Sequence, residues 1–401
     1  MRTIAPLRNC IQCYDWGSRT AIAELLGNPV PSSEPQAELW MGAHPVGPSL
    51  ARSNGSWKAL PDLIERHPVA ILGEPVARKF LNRLPFLFKI LAAAEPMSMQ
   101  VHPNRQQAAA GFARENALGI PLNAFERSYK DSNHKPEILC ALTEFDALNG
   151  FRPIDEIIEV MGELQHPAVA GPLINLRANP DREGLKRFFR AIMTMGTAET
   201  RETTAQAIRV VNKQGPEPAS EWVIRINQLY PGDVGVLCAM MMRFIRLQPG
   251  QGLFHGPGTL HACLQGVAIE LMASSDNVHR AGLTRKHIDV PQLLKTLEFG
   301  SERAQVVEPK RTGEHETVWD TTAEEFVLSR VELRGCDRYT SAARRSFEIL
   351  MCTEGEGHIV DSAALRDLEL TKGSAVAVPA EVPAYGLEGD FTVFKAAVPG
   401  A

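Results

Sequence analysis

The spacing of apolar positions changes several times along the chain. "LPFLFKILAA" (84–93) and "EILCALTEFDALNGF" (137–151) are apolar runs broken by turn residues, and they predict buried strands. "SWKALPDLIERHPVAILG" (56–73) reads as helical in part. Between about 154 and 230 the period lengthens. Ile154, Ile157, Ile158, Met161 and Leu164 recur at helical spacing, as do Leu185, Phe188, Phe189 and Ile192, then Ile208 and Val211. From 230 to 266, "YPGDVGVLCAMMMRFIRLQPGQGLFHGPGTLHACLQG" predicts a return to short strands broken by Pro and Gly. One helix is expected at "VPQLLKTLEF" (290–299), and the charged stretch 301–316 precedes a last strand-rich segment. The expectation is a mainly β protein with a helical insertion. Residues 1–150 and 231–315 form one discontinuous unit, 151–230 a helical domain, and 316–401 a second β unit.

The last segment echoes an earlier one. "LQPGQGLFHGPGTLHACLQG" (247–266) aligns without gaps on "LTKGSAVAVPAEVPAYGLEG" (370–389). Leu247 meets Leu370, Gly250 meets Gly373, Leu264 meets Leu387 and Gly266 meets Gly389. Small jelly-roll barrels use a Gly-Pro turn feeding a His-bearing strand to aim a ligand inward. His261 meets Ala384, so the second copy has no ligand there and is expected to be structural.

Within that frame three segments carry candidate chemistry. Strand side chains alternate between faces, so Gln100 and His102 of "SMQVHPN" (98–104) point one way and Met99 and Val101 the other. Glu137 heads an apolar strand after Pro136, which favours extended backbone at Lys135. A carboxylate entering a core strand needs a partner, because burying it unpaired is costly. "GTLHACL" likewise carries His261 into an apolar strand. A Gln, a carboxylate and two His make a zinc site whose ligands carry one negative charge. The net positive charge left over suits an anion or a developing oxyanion. Downstream, Glu270, Asp276, Arg280, Arg285, Lys286 and His287 crowd together, and the turn Ser274–Asn277 holds Arg280 near that region. Arg280 offers a planar fork for phosphate or an enediolate oxygen, and Lys135 is a second cation on the Glu137 face.

Bulk properties exclude more than they assign. With 401 residues the chain exceeds one ordinary core. A net charge of -5 provides no overall drive toward nucleic acid or anionic membrane. No apolar run reaches transmembrane length and no signal-peptide pattern opens the chain, so a cytoplasmic location is expected. Seven dispersed cysteines suit reduced thiols, and the Cys10/Cys13 pair is expected to be structural.

The chain resembles the type I phosphomannose isomerases (mannose-6-phosphate isomerases), in their bacterial branch. The match runs through "YDWGS" (14–18), "ELWMGAHP" (38–45), "LPFLFKIL" (84–91), "QVHPN" (100–104), "YKDSNHKPE" (129–137) and "HACLQGVAIELMASSDNVHRAGLT" (261–284). The resemblance implies a cupin fold: one metal-bearing jelly roll, a helical domain and a second, metal-free jelly roll. It implies one zinc per chain on Gln100, His102, Glu137 and His261, with Arg280 catalytic, and interconversion of mannose 6-phosphate and fructose 6-phosphate. Candidates for the proton-moving group are Glu270, Lys135, His134 and Asp276. Candidates for substrate contact are Ser98, Lys135, Lys286 and Trp16. A monomer is expected, with a sugar-phosphate substrate and no nucleic-acid or membrane partner. Two departures bear on substrate preference: Cys263 stands where the family has Tyr, and Arg285 where it has Pro. A metal-dependent cupin oxygenase and a non-catalytic sugar-phosphate-binding cupin are the alternatives; oxygen uptake and a coupled isomerase assay separate them.

Overall fold

The apolar run at 84–93 becomes the strand Phe86–Ala93, buried at every position, and "EILCALTEFDALNGF" becomes two strands, Glu137–Ala141 and Phe145–Phe151. A computed structural model describes residues 3–300, 305–361 and 366–400. Its strands form two large antiparallel sheets. The first sheet runs Gln305–Val307, Gly252–His255, Glu137–Ala141, His261–Ala273, Phe86–Ala93, Glu38–Gly42 and Cys10–Gln12. The early part of the long strand His261–Ala273 also pairs with Met99–Val101 and Phe145–Phe151. His279–Gly282 adds to the free side of Met99–Val101.

Side-chain alternation divides this sheet into two faces. Phe88, Ile90, Ile138, Cys140, Ile269 and Leu271 pack against Trp319, Leu328, Ile349, Met351 and Ala396 of the second sheet, so the two sheets share one core. Each fully buried Phe, Ile, Leu or Met among them contributes roughly 1.5–3 kcal/mol. The opposite, inner face carries Leu91, Leu139, Ala141, Leu253, Cys263 and Ala268. It also carries the polar groups of the site.

Five helices between Ile154 and Leu229 form the insertion the periodicity predicts. Met99 and Val101 are buried against it, which turns Gln100 and His102 the other way. One expectation fails here. Gly235–Met241 is a helix rather than a strand, buried at all seven positions. A short run apolar on every side has no period, and tertiary contacts chose its state. Arg105–Ala117 is a helix whose start is the end of "QVHPN": Asn104 accepts from Gln107 N–H, and the Gln107 side chain bonds back to Asn104 N–H.

The unit boundaries also shift. Ala5–Arg8 pairs with Ala375–Val378 and with Leu50–Ser53, so this part of segment 1–150 belongs to the second sheet. That sheet takes up the chain again at Lys310–Arg311, ahead of the expected division at 315. No helix among the described residues is long and apolar enough to cross a membrane.

The internal echo is structural. Gly252–His255 corresponds in the alignment to Ala375–Val378, and the long strands His261–Ala273 and Tyr385–Ala397 follow each. Gly250 and Gly373 have φ of 89° and 90°, and Gly266 and Gly389 have 131° and 134°. The neighbouring strands match too: His255 lies opposite Glu137, and its counterpart Val378 lies opposite Glu348. Glu348 meets Arg345 and Lys395 instead of imidazoles. At Gly389 an added Cβ would sit 2.5 Å from Gly357 Cα and 2.8 Å from Glu356 O, both backbone atoms. Gly389→Ala is therefore expected to cost ~1–3 kcal/mol and lower the melting temperature by several degrees, with metal binding unchanged. A melting curve superimposable on the parent's would refute that account.

Candidate metal centre

Three strand starts converge on the inner face. Glu137 opens its strand, His261 opens the long strand, and His102 follows Met99–Val101 directly. One ligand atom from each lies within 4.8 Å of the others, the one such cluster of His, Cys and acidic groups among the described residues. His102 Nε2 is 3.5 Å from Glu137 Oε1, and His261 Nε2 is 3.4 Å from Glu137 Oε2.

The tautomers are set from behind. His102 Nδ1 donates to the Asn277 carbonyl at 2.7 Å and His261 Nδ1 to the Thr259 carbonyl at 2.9 Å. Both Nε2 atoms are then bare, buried and without a hydrogen-bond partner. Leaving two such nitrogens unpaired is costly unless something binds them, so the residues fit a divalent metal. Burial and then Lys135 push His102 down to about 3, which keeps it in the neutral, ligating form. Burial alone would raise Glu137, but Lys135 and then His102 outweigh it and hold the carboxyl well below its usual range. Lys135 Nζ is 2.9 Å from Glu137 Oε1.

Gln100 joins through register. Its backbone lies opposite both His261 and Arg280, and directly opposed residues share a face. Arg280 is largely buried and has no hydrogen-bond or ion-pair partner among the described residues. Burial lowers its pKa. Lys286 is depressed by burial and then by the charges of Arg280 and Lys130, so three cations sit near one another. Among the described residues no carboxylate lies within ion-pair distance of them.

The remaining candidates scatter. Glu270 is fully buried, its carboxylate 2.5 Å from Lys89 Nζ. Burial pushes it up; Lys89 pulls down, while the Glu137 and Glu38 charges push up again. Glu270 lies opposite Leu139 on the Glu137 face, about 7–8 Å across a diagonal pair. Asp276 points to His44 at 3.2 Å and is half exposed. His134 bonds Glu325 at 2.8 Å, away from the cluster. Ser98 is half-buried in the loop before Met99, and Trp16 is partly buried against the inner-face core.

Sequence reasoning passed over Lys89, Asn277 and His255. Lys89 is one lysine inside a fully buried strand, which by itself signals a partner; it contacts Glu270 and, at 3.5 Å, Glu38. Asn277 pins the site: its amide donates to the Asp131 and Asn133 carbonyls and its Oδ1 accepts from Lys130 N–H. His255 alternates with Leu253 on the inner face.

Residues 4–154 match the family model described as phosphomannose isomerase type I, catalytic domain. The chain is 39% identical over 388 residues to mannose-6-phosphate isomerase of Escherichia coli strain K12, covering 96% of each. It is also similar to the structure of a Lys-to-Ala variant of phosphomannose isomerase from Salmonella typhimurium, with a TM-score of 0.92, 36% identity and 99% of each chain covered. A zinc-bound structure of mannose 6-phosphate isomerase superposes with a TM-score of 0.91 at 37% identity, again over 99% of each chain.

Proposed function

The chain belongs to the type I phosphomannose isomerase family, and from that premise we propose how its residues interconvert D-mannose 6-phosphate and D-fructose 6-phosphate. The two sheets are read as cupin-like jelly rolls, the first metal-bearing. Gln100, His102, Glu137 and His261 would hold one zinc ion. The single observation carrying this is the pair of bare, buried Nε2 atoms beside Glu137, with an unpartnered arginine opposite Gln100. When bound, zinc supplies positive charge for the oxygens on C1 and C2.

The chain's own residues do the rest. The C2 proton leaves to a base, its electron pair becomes the C1–C2 double bond, and the carbonyl oxygen takes the charge. The hydroxyl proton on the C2 oxygen passes to the C1 oxygen, and return of the abstracted proton to C1 with collapse of the C2 oxygen's electrons to a carbonyl yields the ketose, with no external oxidant. Arg280, desolvated and without a counter-ion, stabilises the enediolate oxygen. Glu270 is the base of choice among the four candidates, because it lies on the Glu137 face and burial raises its carboxyl, although like the other three it has a partner, Lys89. Its raised pKa moves a carboxylate toward the range useful at neutral pH. Lys286 and Lys130 hold the phosphate beside Arg280, supported by the depression of Lys286 by burial and then by the charges of Arg280 and Lys130. Neither the oxygenase nor the non-catalytic alternative gains an observation of its own.

The test is a coupled assay on mannose 6-phosphate across pH. Glu270 must be ionised to act, so kcat/KM should fall as pH drops, with a limb above the ordinary carboxylate value of about 4.3. Glu270→Gln should remove most activity and that limb. No turnover by the parent protein would sink the assignment. A limb that survives in the variant would remove Glu270 from the role.

A further inference from the structure

His255 lies directly opposite Glu137 in the strand pair Gly252–His255 and Glu137–Ala141, on the inner face. It is 1% exposed, and neither ring nitrogen has a hydrogen-bond partner. Its Nδ1 stands 3.6 Å from Glu137 Oε2, and its ring stacks on His261 at 4.1 Å between centroids with 21° between planes. It lies outside the group of three mutually close ligand atoms. Atoms bound to one zinc at about 2.0–2.2 Å are at most about 4.4 Å apart, so His255 stands behind the ligands, outside the coordination sphere. The matching place in the second sheet is filled by apolar Val378 opposite Glu348. Packing at this position therefore needs no imidazole, and an ordinary core histidine would have found a partner.

We infer that His255 is a positioning residue for the metal centre: it donates Nδ1–H to Glu137 Oε2 and buttresses the His261 ring, aligning two ligands at once. Lys135 already holds the other oxygen of Glu137, at 2.9 Å, so the carboxylate is gripped from both sides. The 3.6 Å contact is longer than a hydrogen bond and closes with a shift of a few tenths of an ångström. The inference rests on reading Glu137 and His261 as ligands. It makes His255 a determinant of how tightly the metal is kept rather than of the chemical step.

The experiment uses the full chain with His255→Leu and His255→Asn. Zinc affinity is measured by competition with a chromophoric chelator, the coordination geometry by the visible spectrum of the cobalt-substituted protein, and metal-free stability by thermal melting. His255→Leu should bind zinc on the order of 10–100-fold more weakly, and Asn, which retains a donor near the Nδ1 position, should recover most of that loss. The cobalt spectrum should change in the Leu variant and return toward the parent's in the Asn variant. Metal-free His255→Leu should melt no lower than the parent, because an unpaired buried imidazole has been removed. Zinc affinity within twofold of the parent's overturns the inference. So does a weakened affinity accompanied by a matching fall in metal-free melting temperature, which would mean lost packing. If the parent binds no zinc, or Glu137→Gln binds it as tightly, the ligand reading itself fails, and that outcome is separate.

Discussion

An Arg280→Ala variant is expected to lose on the order of 10²–10³-fold in kcat, the loss typical of removing one preorganised donor from a developing oxyanion. The guanidinium is the best-placed cation for this. It sits across a strand pair from Gln100, it is largely buried, and among the described residues no carboxylate neutralises it. In such surroundings its charge is screened weakly, so it acts strongly on any anion formed nearby. Because the oxygen carries full charge only in the transition state and intermediate, kcat should fall more than KM rises. Arg280→Lys should recover little, since an ammonium lacks the planar fork. Steady-state kinetics with the metal content measured for each variant decides the matter. Activity within a few-fold of the parent's, at equal zinc content, removes Arg280 from the mechanism.

The second large effect concerns Glu137. Glu137→Gln keeps the shape of the side chain and deletes its charge. That carboxylate faces His102, His261 and Lys135 and is the one negative group among the proposed ligands. Removing it leaves Lys135 without its partner beside a metal that would carry two uncompensated charges. Several kcal/mol of charge stabilisation go with the metal, at about 1.4 kcal/mol per tenfold, so a loss on the order of 10³-fold in kcat/KM is expected. Chelation of the parent protein should reproduce it, and added zinc should restore the parent but not the variant at the same concentration. Full turnover in protein shown to hold no metal would refute the metal's role. Because Glu137 is held well below the usual carboxylate range, it stays ionised as pH falls, and the acid limb assigned to Glu270 should not arise from it.

Much of this site could be read along the chain, for local reasons. The two-residue period set Gln100 and His102 on one face and Met99 and Val101 on the other, and the helical insertion buries the latter pair as that alternation requires. A lone Glu137 or His261 in an apolar run announced a polar purpose, and both converge with His102. The echo between 247–266 and 370–389 foretold equivalent strands, and the two glycine pairs it aligned share their φ. These signals are legible because propensity, period and the cost of burying a bare charge act within a few residues.

What stayed hidden depends on distant backbone. His261 and Glu270 are nine residues apart, which strict alternation would place on opposite faces. The register shift between Cys263 and Gln265 puts both on the inner face. His255 is an unremarked residue in "GLFHGPG" until pairing lays it opposite Glu137. His134 and Lys135 are neighbours, yet one reaches Glu325 and the other Glu137. Asn277 orients His102 from 175 positions away. The sequence by itself determined which side chains are polar within buried strands, and so which groups form the site. Only the tertiary structure decided which of them meet, because strand register and bulges follow from the packing of whole sheets and leave no periodic trace in a single strand.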